Sequence, residues 1–172
     1  MPPWPEPVER VASFLRDSGA EARIEEFAVA TPTAVDAARA AGCELAQIAK
    51  AVVFDCGDRF VVALTPGDRR ADAGKVASAA EAARAKVARP AQVVEATGFE
   101  PGAVAPFPLP GVAATFIDQM LLTQDKVWVG AGSPSHLAAL APAELVRLTH
   151  ARAGDLVERL PEPGGVSDAR PG

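Results

Sequence analysis

The sequence has little cysteine and lacks the short motifs by which many enzymes are recognised. Its 172 residues include two cysteines, Cys43 and Cys56, which lack the spacing of metal ligands and cannot form a disulfide framework in a chain of this size. The motifs H-E-x-x-H and C-x-x-C, the Walker loop, G-x-G-x-x-G after a strand and the G-x-S-x-G elbow are all missing. We therefore expect no metal centre, no cofactor and no serine-hydrolase elbow.

An excess of positive charge and long apolar runs are missing too. A net charge of −5 at pH 7 argues against tight, sequence-independent binding to nucleic acid, because that affinity comes mainly from phosphate neutralisation. Residues 1–7 lack the basic and apolar stretches of a signal peptide, and Asp118 and Gln119 interrupt the best candidate for a membrane-spanning run. We predict a cytoplasmic protein without a membrane or DNA partner.

One segment departs from this acidic average. Residues 69–89 contain six basic side chains but only two acidic ones. Such a run is typical of a solvated helix face, although it is also compatible with a small patch that contacts phosphates. The candidates for phosphate contacts are Arg69, Arg70 and Lys75.

With 49% hydrophobic and 23% charged residues, the composition is that of a globular domain, and its periodicities predict a mixture of helices and strands. Three of the predicted helices cover residues 5–18, 71–85 and 90–96. Another has Thr31 as N-cap and Pro32 as its first residue and ends near Gly42. The last one carries Leu137, Leu140, Leu145 and Leu148. The predicted strands are 23–29, a hairpin of 49–55 and 59–65, 112–118 and 126–131. One domain over residues 8–150 is expected, with a tail at 1–7 and a disordered tail at 161–172.

Lys50 is the residue that the hydrophobic pattern explains least. It lies in the run 48–54, which otherwise reads as a strand that is apolar on both faces. Removing an ammonium group from water is unfavourable by several kcal/mol unless it meets an anion or a polar cavity. Lys50 therefore either lies near a strand end, with its stem snorkelling to solvent, or lines a pocket for an anionic or carbonyl-bearing ligand.

Two glycine-containing segments are candidates for the rest of such a pocket. The loop 97–106 contains Gly102, and glycine lets backbone amides approach a ligand and point at one oxygen, although glycine and proline also mark an ordinary surface loop. The segment 130–137 would place His136 just after a strand-to-helix turn. There the imidazole either binds a ligand or caps the helix.

Taken in order, six motifs resemble those of the YbaK family, the free-standing and synthetase-inserted editing domains that hydrolyse mischarged aminoacyl-tRNA, chiefly tRNA for proline. The resemblance runs from about Val8 to Leu148. Each motif is weak alone, but six in the right order form a specific signal. They are Thr31-Pro-Thr-Ala34, Ile48-Ala-Lys50, Pro66-Gly-Asp-Arg-Arg-Ala-Asp72, Thr97-Gly-Phe…Gly102-x-x-x-Pro106, Phe116-Ile-Asp118 and Gly130-Ala-Gly132.

The resemblance implies an α+β fold around a strongly curved, barrel-like sheet flanked by helices, with the pocket between the hairpin and the glycine loop. Lys50 matches the family's essential lysine, and Gly102 and Pro106 match its G-x-x-x-P loop. His136 falls where some prolyl-editing branches keep a histidine. The candidate catalytic residues are Lys50 and Gly102. The candidate substrate-binding residues are Thr31, Phe99, Pro106, Asp118, Gly132, Ser133 and His136.

By this resemblance the chain would be a trans-editing hydrolase that removes a small amino acid, such as cysteine or alanine, from tRNA for proline. Amides of the loop 102–106 would hold the developing oxyanion, Lys50 would anchor the terminal nucleotide or its phosphate, and the substrate's ribose hydroxyl would orient the water. The partners would be the acceptor end of mischarged aminoacyl-tRNA and, as a further candidate, an aminoacyl-tRNA synthetase.

Two positions depart from the family pattern. Ala51 stands where the alanine-selective branch has an asparagine, and Ala105 stands where other branches carry a serine before the loop proline. These departures leave open a non-catalytic module that binds a tRNA end or a synthetase. A carrier of a small hydrophobic ligand is a third alternative, for which Lys50 would be an unusual lining residue.

Overall fold

The computed structural model describes residues 4–160, which form five α-helices and eight strands in two sheets. The helices are α1 (Glu6–Asp17), α2 (Ala34–Ala41), α3 (Ala73–Ala79), α4 (Pro90–Thr97) and α5 (Pro142–Thr149). The strands are β1 (Ala22–Glu26), β2 (Ala49–Asp55), β3 (Phe60–Pro66), β4 (Lys86–Val87), β5 (Ala114–Asp118), β6 (Val127–Gly130), β7 (His136–Leu140) and β8 (Arg152–Gly154). The predicted α+β class is confirmed, whereas the predicted tail at 161–172 lies outside the described residues.

The strands form one sheet of five and one of three. The order in the larger sheet is β4-β2-β3-β5-β8, and in the smaller sheet it is β1-β7-β6. A single parallel bridge between Ile48 and Trp128 joins the start of β2 to β6. Within the described residues the sheets do not close into one barrel, so the barrel-like detail of the expected fold is not confirmed.

The hairpin of β2 and β3 forms as predicted, for local reasons. The Cys56 amide donates to the Arg59 carbonyl at 2.9 Å, which closes the turn. Gly57 has a φ of +96°, a conformation that a side chain would strain. The Asp55 carboxylate accepts from the Gly57 amide at 2.8 Å. The turn therefore sets the register in which Lys50 lies opposite Thr65.

Two predicted helix boundaries are wrong. Thr33, and not Thr31, is the N-cap of α2, because its side chain accepts from the Asp36 amide at 3.1 Å. The helix predicted over 71–85 ends at Ala79, and Glu81 just beyond it has a left-handed φ of 55°. The alanine spacing suggested a longer helix, but residues 86–87 instead pair with the free edge of β2.

The segment 136–140 is a strand, although the spacing of Leu137 and Leu140 predicted a helix. This strand, β7, is the central strand of the smaller sheet, and all five of its residues are buried. A strand that is buried on both faces shows no alternation of polar and apolar residues, so its sequence resembles that of a buried helix. The helix begins only at Pro142, and His136 therefore does not cap it.

The central strand of the larger sheet, β3, is buried on both of its faces. Val62 and Leu64 of β3 pack into the main core, whereas Val61 and Ala63, which point the other way, pack into a second cluster. All four side chains are fully buried. β3 is therefore the central structural element of the fold. Within the described region, no helix has both the length and the apolar character needed to cross a bilayer.

We expect Leu64→Ala to lower the free energy of unfolding by about 2–5 kcal/mol, because it leaves a cavity in a core that cannot fully collapse. Val94→Ala, at a surface position of α4 that is 38% exposed, is the control and should change stability by less than about 0.5 kcal/mol. Urea unfolding of both variants measures the difference. Equal, small effects would show that β3 is not the centre of the core.

Candidate functional site

Four of the predicted site residues line one cleft. Its volume is about 300 Å³, and its walls come from the start of the hairpin, the start of α2, the loop before β5 and the turn between β6 and β7. Thr31, Lys50, Gly102 and Ser133 all contribute to its lining. Residues far apart in sequence thus meet where the two sheets approach each other.

Lys50 presents a half-buried cation at this cleft. Its ammonium group donates to the Arg69 carbonyl at 2.6 Å, so it does not extend freely into solvent. Burial lowers the pKa of Lys50, while the Asp68 carboxylate opposes this shift and Arg70 adds to it. Within residues 4–160, the ion pairs are made by other cations, and no carboxylate lies within 4 Å of this amine.

The position of Lys50 follows from the packing of β2. Ile48 on the same face of the strand packs with α2 and Trp128, and Phe54 on that face packs into the cluster that includes α3. Lys50 lies between these two apolar clusters, at the point where neither covers the sheet. The cleft is therefore a gap in the packing, and the lysine stem forms part of its wall.

Gly102 forms the opposite wall in a conformation that favours glycine. Its φ is +84°, in the left-handed region, whereas an added Cβ would meet Pro32 only at an ordinary 3.6 Å. The turn is closed by the Ala103 amide, which donates to the Glu100 carbonyl at 3.0 Å. Among the described residues, the amides of Gly102 and Val104 have no hydrogen-bond acceptor.

Gly130 lets this loop lie directly on β6. An added Cβ would overlap the carbonyl group of Val104, which has no freedom to move as a flexible side chain would. Val104 and Gly130 both line the cleft, so their contact sets its width. Gly130 belongs to one of the six motifs, but no role was predicted for it. The signal that could have indicated one is a glycine at the end of a buried strand.

The turn between β6 and β7 carries a second polar group of the cleft. The Ser133 hydroxyl lies 2.6 Å from Nδ1 of His136. Thr31 is attached to the same turn, because its hydroxyl donates to the Pro134 carbonyl at 2.8 Å. His136 itself is 2% exposed and does not line the cleft, so it acts on the cleft only through Ser133.

Three further predicted residues have structural surroundings. Asp118 is fully buried, and its carboxylate accepts from the Leu156 amide at 2.8 Å and the Met120 amide at 3.0 Å. Phe99 is buried, with an arginine guanidinium 4.6 Å from the centre of its ring. Gly132 packs against the backbone of the first turn of α1. None of the three lines the cleft, and their roles in substrate binding stay predictions.

Pro106 lines a different and larger cavity, of about 750 Å³. Its walls include Phe14, Arg59 and Arg152, and residues 106–110 form one side. Size alone would favour this cavity as the functional site. We place the site in the smaller cleft, because it is lined both by Lys50, which has no carboxylate partner among residues 4–160, and by Gly102 and Val104, whose amides have no acceptor there.

The predicted phosphate contacts are not equally available. Arg69 donates to the Glu158 carbonyl at 2.8 Å, and Lys75 pairs with Asp155 at 2.9 Å. Arg70 has an 85% exposed side chain, and its nearest carboxylate, on Glu158, is 3.9 Å away. Of the three, Arg70 is therefore the side chain best placed to meet a phosphate beside Lys50.

The remaining candidates for chemistry have little support. Among the described residues, no three His, Cys, Asp or Glu side chains are grouped as a metal site would require. Burial raises the pKa of both Cys43 and Cys56, which disfavours the reactive thiolate.

Comparison with known proteins gives one family. The family described as "Aminoacyl-tRNA editing domain" matches residues 28–148. The Multifunctional Ser/Thr-tRNA deacylase ProXp-y of Escherichia coli (strain K12) is 31% identical over 146 residues, which are 81% of this chain and 86% of that protein. The uncharacterized protein YwhH of Bacillus subtilis (strain 168) is 31% identical over 123 residues, which are 71% of this chain and 78% of that protein.

Solved structures show the same fold. The crystal structure of a candidate trans-editing enzyme for prolyl-tRNA synthetase superposes with a TM-score of 0.84 at 32% identity, and the match covers 91% of this chain and 100% of that one. The hypothetical protein APE2540 superposes with a TM-score of 0.81 at 29% identity, with 87% and 99% of the two chains covered.

We expect Gly130→Ala to destabilise the fold by about 1–3 kcal/mol, because the new methyl group has to displace the Val104 carbonyl. Gly154→Ala on β8 is the matched control, since a Cβ there meets no atom within 4 Å; it should change stability by less than about 0.5 kcal/mol. Thermal unfolding and the amide NMR shifts of residues 102–105 report the two effects. Unchanged shifts in Gly130→Ala would contradict the contact.

Proposed function

The chain belongs to the aminoacyl-tRNA editing domain family, and we propose that it is a trans-editing hydrolase that deacylates mischarged aminoacyl-tRNA. The observation that carries the proposal is Lys50, a half-buried cation without a carboxylate partner among residues 4–160, at a cleft that Gly102 also lines. A site of this kind suits a ligand that is anionic at one end and carries an ester carbonyl at the other.

Lys50 anchors the terminal nucleotide of the acceptor end. An ammonium group has three donors, and one of them is held by the Arg69 carbonyl. The remaining donors are available for a phosphate or ribose oxygen. Partial burial strengthens such a contact, because the local dielectric constant is below that of water.

The loop amides stabilise the oxyanion that develops on the ester carbonyl. Ala103 is excluded from this role because its amide closes the turn on Glu100. Gly102 and Val104 remain as the donors, on the cleft wall that faces the hairpin. Fixed amides need no reorganisation when charge develops, which is why such groups lower the barrier effectively.

An aminoacyl ester is already activated, so positioning and charge stabilisation supply most of the required catalysis. The water is oriented by the ribose hydroxyl of the substrate itself. A cleft of about 300 Å³ lies at the small end of ligand sites. Once the terminal nucleotide occupies part of it, the remaining space favours a small amino acid over a bulky one. Such a second selection by size is needed because a synthetase discriminates between amino acids whose side chains differ by one methylene by a free-energy difference of only about 1–3 kcal/mol.

The proposed substrate is tRNA for proline that carries a small amino acid such as cysteine or alanine. The relative named for prolyl-tRNA synthetase supports the tRNA, while the relative named a Ser/Thr-tRNA deacylase adds serine and threonine to the amino acids to be tested. The protein would act in the cytoplasm, where mischarged tRNA is made, with a synthetase as a candidate partner that supplies further tRNA affinity.

A non-catalytic module of the same fold is the rival function. Ala105 stands where other branches of the family carry a serine, and it is completely buried. An alanine supplies no hydroxyl to the cleft. Incubation with tRNA charged with alanine, cysteine, serine or threonine separates the two, because the enzyme releases the amino acid and the module only binds the tRNA. Binding without ester loss from any of the four would overturn the proposal.

Lys50→Ala should lower deacylation by about a hundredfold or more, the order expected when a charged group that positions the reacting ester is removed. Lys126→Ala is the control, a lysine near Trp128 that does not line the cleft, and it should keep the wild-type rate. Single-turnover release of the amino acid measures both, and circular dichroism checks the fold. A normal rate in Lys50→Ala would remove the role given to this residue.

Arg70→Glu should reduce kcat/KM by roughly fivefold at low salt, the effect of about 1 kcal/mol from one exposed charge contact. The reduction should shrink as salt rises, because surface charges are screened. Arg84→Glu makes the same charge change on an exposed residue near the opposite end of β2, and it should leave kcat/KM within twofold. Equal effects of the two variants would mean that only net charge matters.

A further inference from the structure

A buried histidine outside the cleft is connected to it by one short hydrogen bond. Nδ1 of His136 lies 2.6 Å from the Ser133 hydroxyl, and Ser133 lines the cleft. The other ring nitrogen, Nε2, is buried and has no hydrogen-bond partner among the described residues. A buried polar atom without a partner is unfavourable, so this arrangement calls for an explanation beyond packing.

The hydrogen bonds around Ser133 indicate which of the two ring nitrogens of His136 carries the ring hydrogen. The Ser133 oxygen accepts from the Ser135 amide at 3.1 Å. Its own proton has two acceptors within reach, Nδ1 of His136 at 2.6 Å and the Ser135 hydroxyl at 3.4 Å. The much shorter distance favours donation to Nδ1, which leaves the ring hydrogen on Nε2. This tautomer also directs the Nε2 hydrogen toward the Glu26 carboxylate, 3.9 Å away on the neighbouring strand β1.

We propose that Ser133, His136 and Glu26 form a proton relay that serves the attacking water in the cleft. The inference rests on the proposed deacylase function and adds a general base to it. Ser133 is the catalytic residue of the three, because it alone lines the cleft. His136 and Glu26 act through it, the first by accepting its proton and the second by stabilising the cation that results.

The proton and electron balance of the step is simple. The water oxygen forms a bond to the ester carbonyl carbon, the C=O π bond breaks with its electron pair moving onto the carbonyl oxygen, and one water proton passes to the Ser133 oxygen. The Ser133 proton moves at the same time to Nδ1 of His136. When the tetrahedral intermediate collapses, the bond to the ribose oxygen breaks, and the proton returns through Ser133 to that leaving oxygen. Serine and histidine end as they began, so no further reactant is needed.

The surroundings of His136 suit a base that works near neutral pH. Glu26 from β1 is the charged group that faces the ring, Trp4 before α1 contacts it edge-on with ring centres 5.4 Å apart, and Ser133 contacts it from the preceding turn. Burial lowers the pKa of His136, and Glu26 opposes this shift. The imidazole is therefore neutral at pH 7 and able to accept a proton.

The test is the pH dependence of single-turnover deacylation between pH 5 and 8, with the uncatalysed loss of the same aminoacyl-tRNA subtracted. Wild-type activity should fall as the pH drops through the pKa of His136, below the ordinary value of 6.5. Ser133→Ala and His136→Gln should each lose about 10²-fold or more at pH 7.5, the usual contribution of a general base, and should lose this part of the pH dependence.

Further variants separate proton transfer from a structural role. Ser133→Thr keeps the hydroxyl and should restore both the rate and the pH dependence. Glu26→Gln changes a side chain that is 62% exposed, so it should fold normally, and it should move the acid limb to lower pH. Ser78→Ala, at an exposed serine of α3 outside the cleft lining, is the control and should keep the wild-type profile.

The outcomes are distinct. A wild-type rate in Ser133→Ala, or a reduced rate with the wild-type pH profile, would overturn the relay and leave the deacylase function standing. An unchanged acid limb in Glu26→Gln would also overturn it. Because the ester's own α-ammonium titrates equally in every variant, only differences between variants count. A wild-type protein that releases no amino acid would overturn the relay and the proposed function together.

Discussion

The hydrogen bond from the Lys50 ammonium to the Arg69 carbonyl is the contact on which the candidate site depends. It holds a cation at the edge of the core without neutralising it, because a carbonyl oxygen accepts a proton donor but carries no net charge. A carboxylate in the same place would form an internal ion pair. The chain instead keeps a half-buried positive charge at a cleft, which an anionic ligand can satisfy.

The rest of the site is arranged around that charge by backbone geometry more than by side chains. Gly102 turns the loop in the left-handed region, and Gly130 lets the Val104 carbonyl lie against β6. Both requirements concern where the main chain can go. The cleft consequently has few polar side chains besides Lys50, Thr31 and Ser133. For an ester that is already reactive, such a shaped and charged environment supplies much of the catalysis, and the proposed relay through Ser133 adds a general base to it.

The pattern of charges along the sequence did not predict which basic side chains are available at the surface. The basic segment 69–89 suggested a phosphate-contacting patch, but Arg69 and Lys75 are engaged with the segment that follows β8. These partners lie 80 and 89 residues away in the chain, so no local pattern could reveal them. The Arg70 side chain remains exposed, with its carboxylate neighbour on Glu158 at 3.9 Å. The relay atoms of His136 were equally hidden, since the sequence pattern placed this residue beside a helix.

Sequence alone determined the elements whose causes are local: the hairpin with Gly57 in its turn, the amphipathic α1, and the anomaly of a lysine in an apolar strand. Its ordered motifs also identified the family, and with it the residues Lys50 and Gly102 that meet in the cleft. The tertiary structure alone decided that residues 136–140 form a central strand and that β4 pairs with the edge of β2. It also decided which of the described basic side chains are held in ion pairs or hydrogen bonds. The reason is physical, because burial on both faces removes the polar–apolar alternation on which such predictions rely, and ion pairing depends on distances through space.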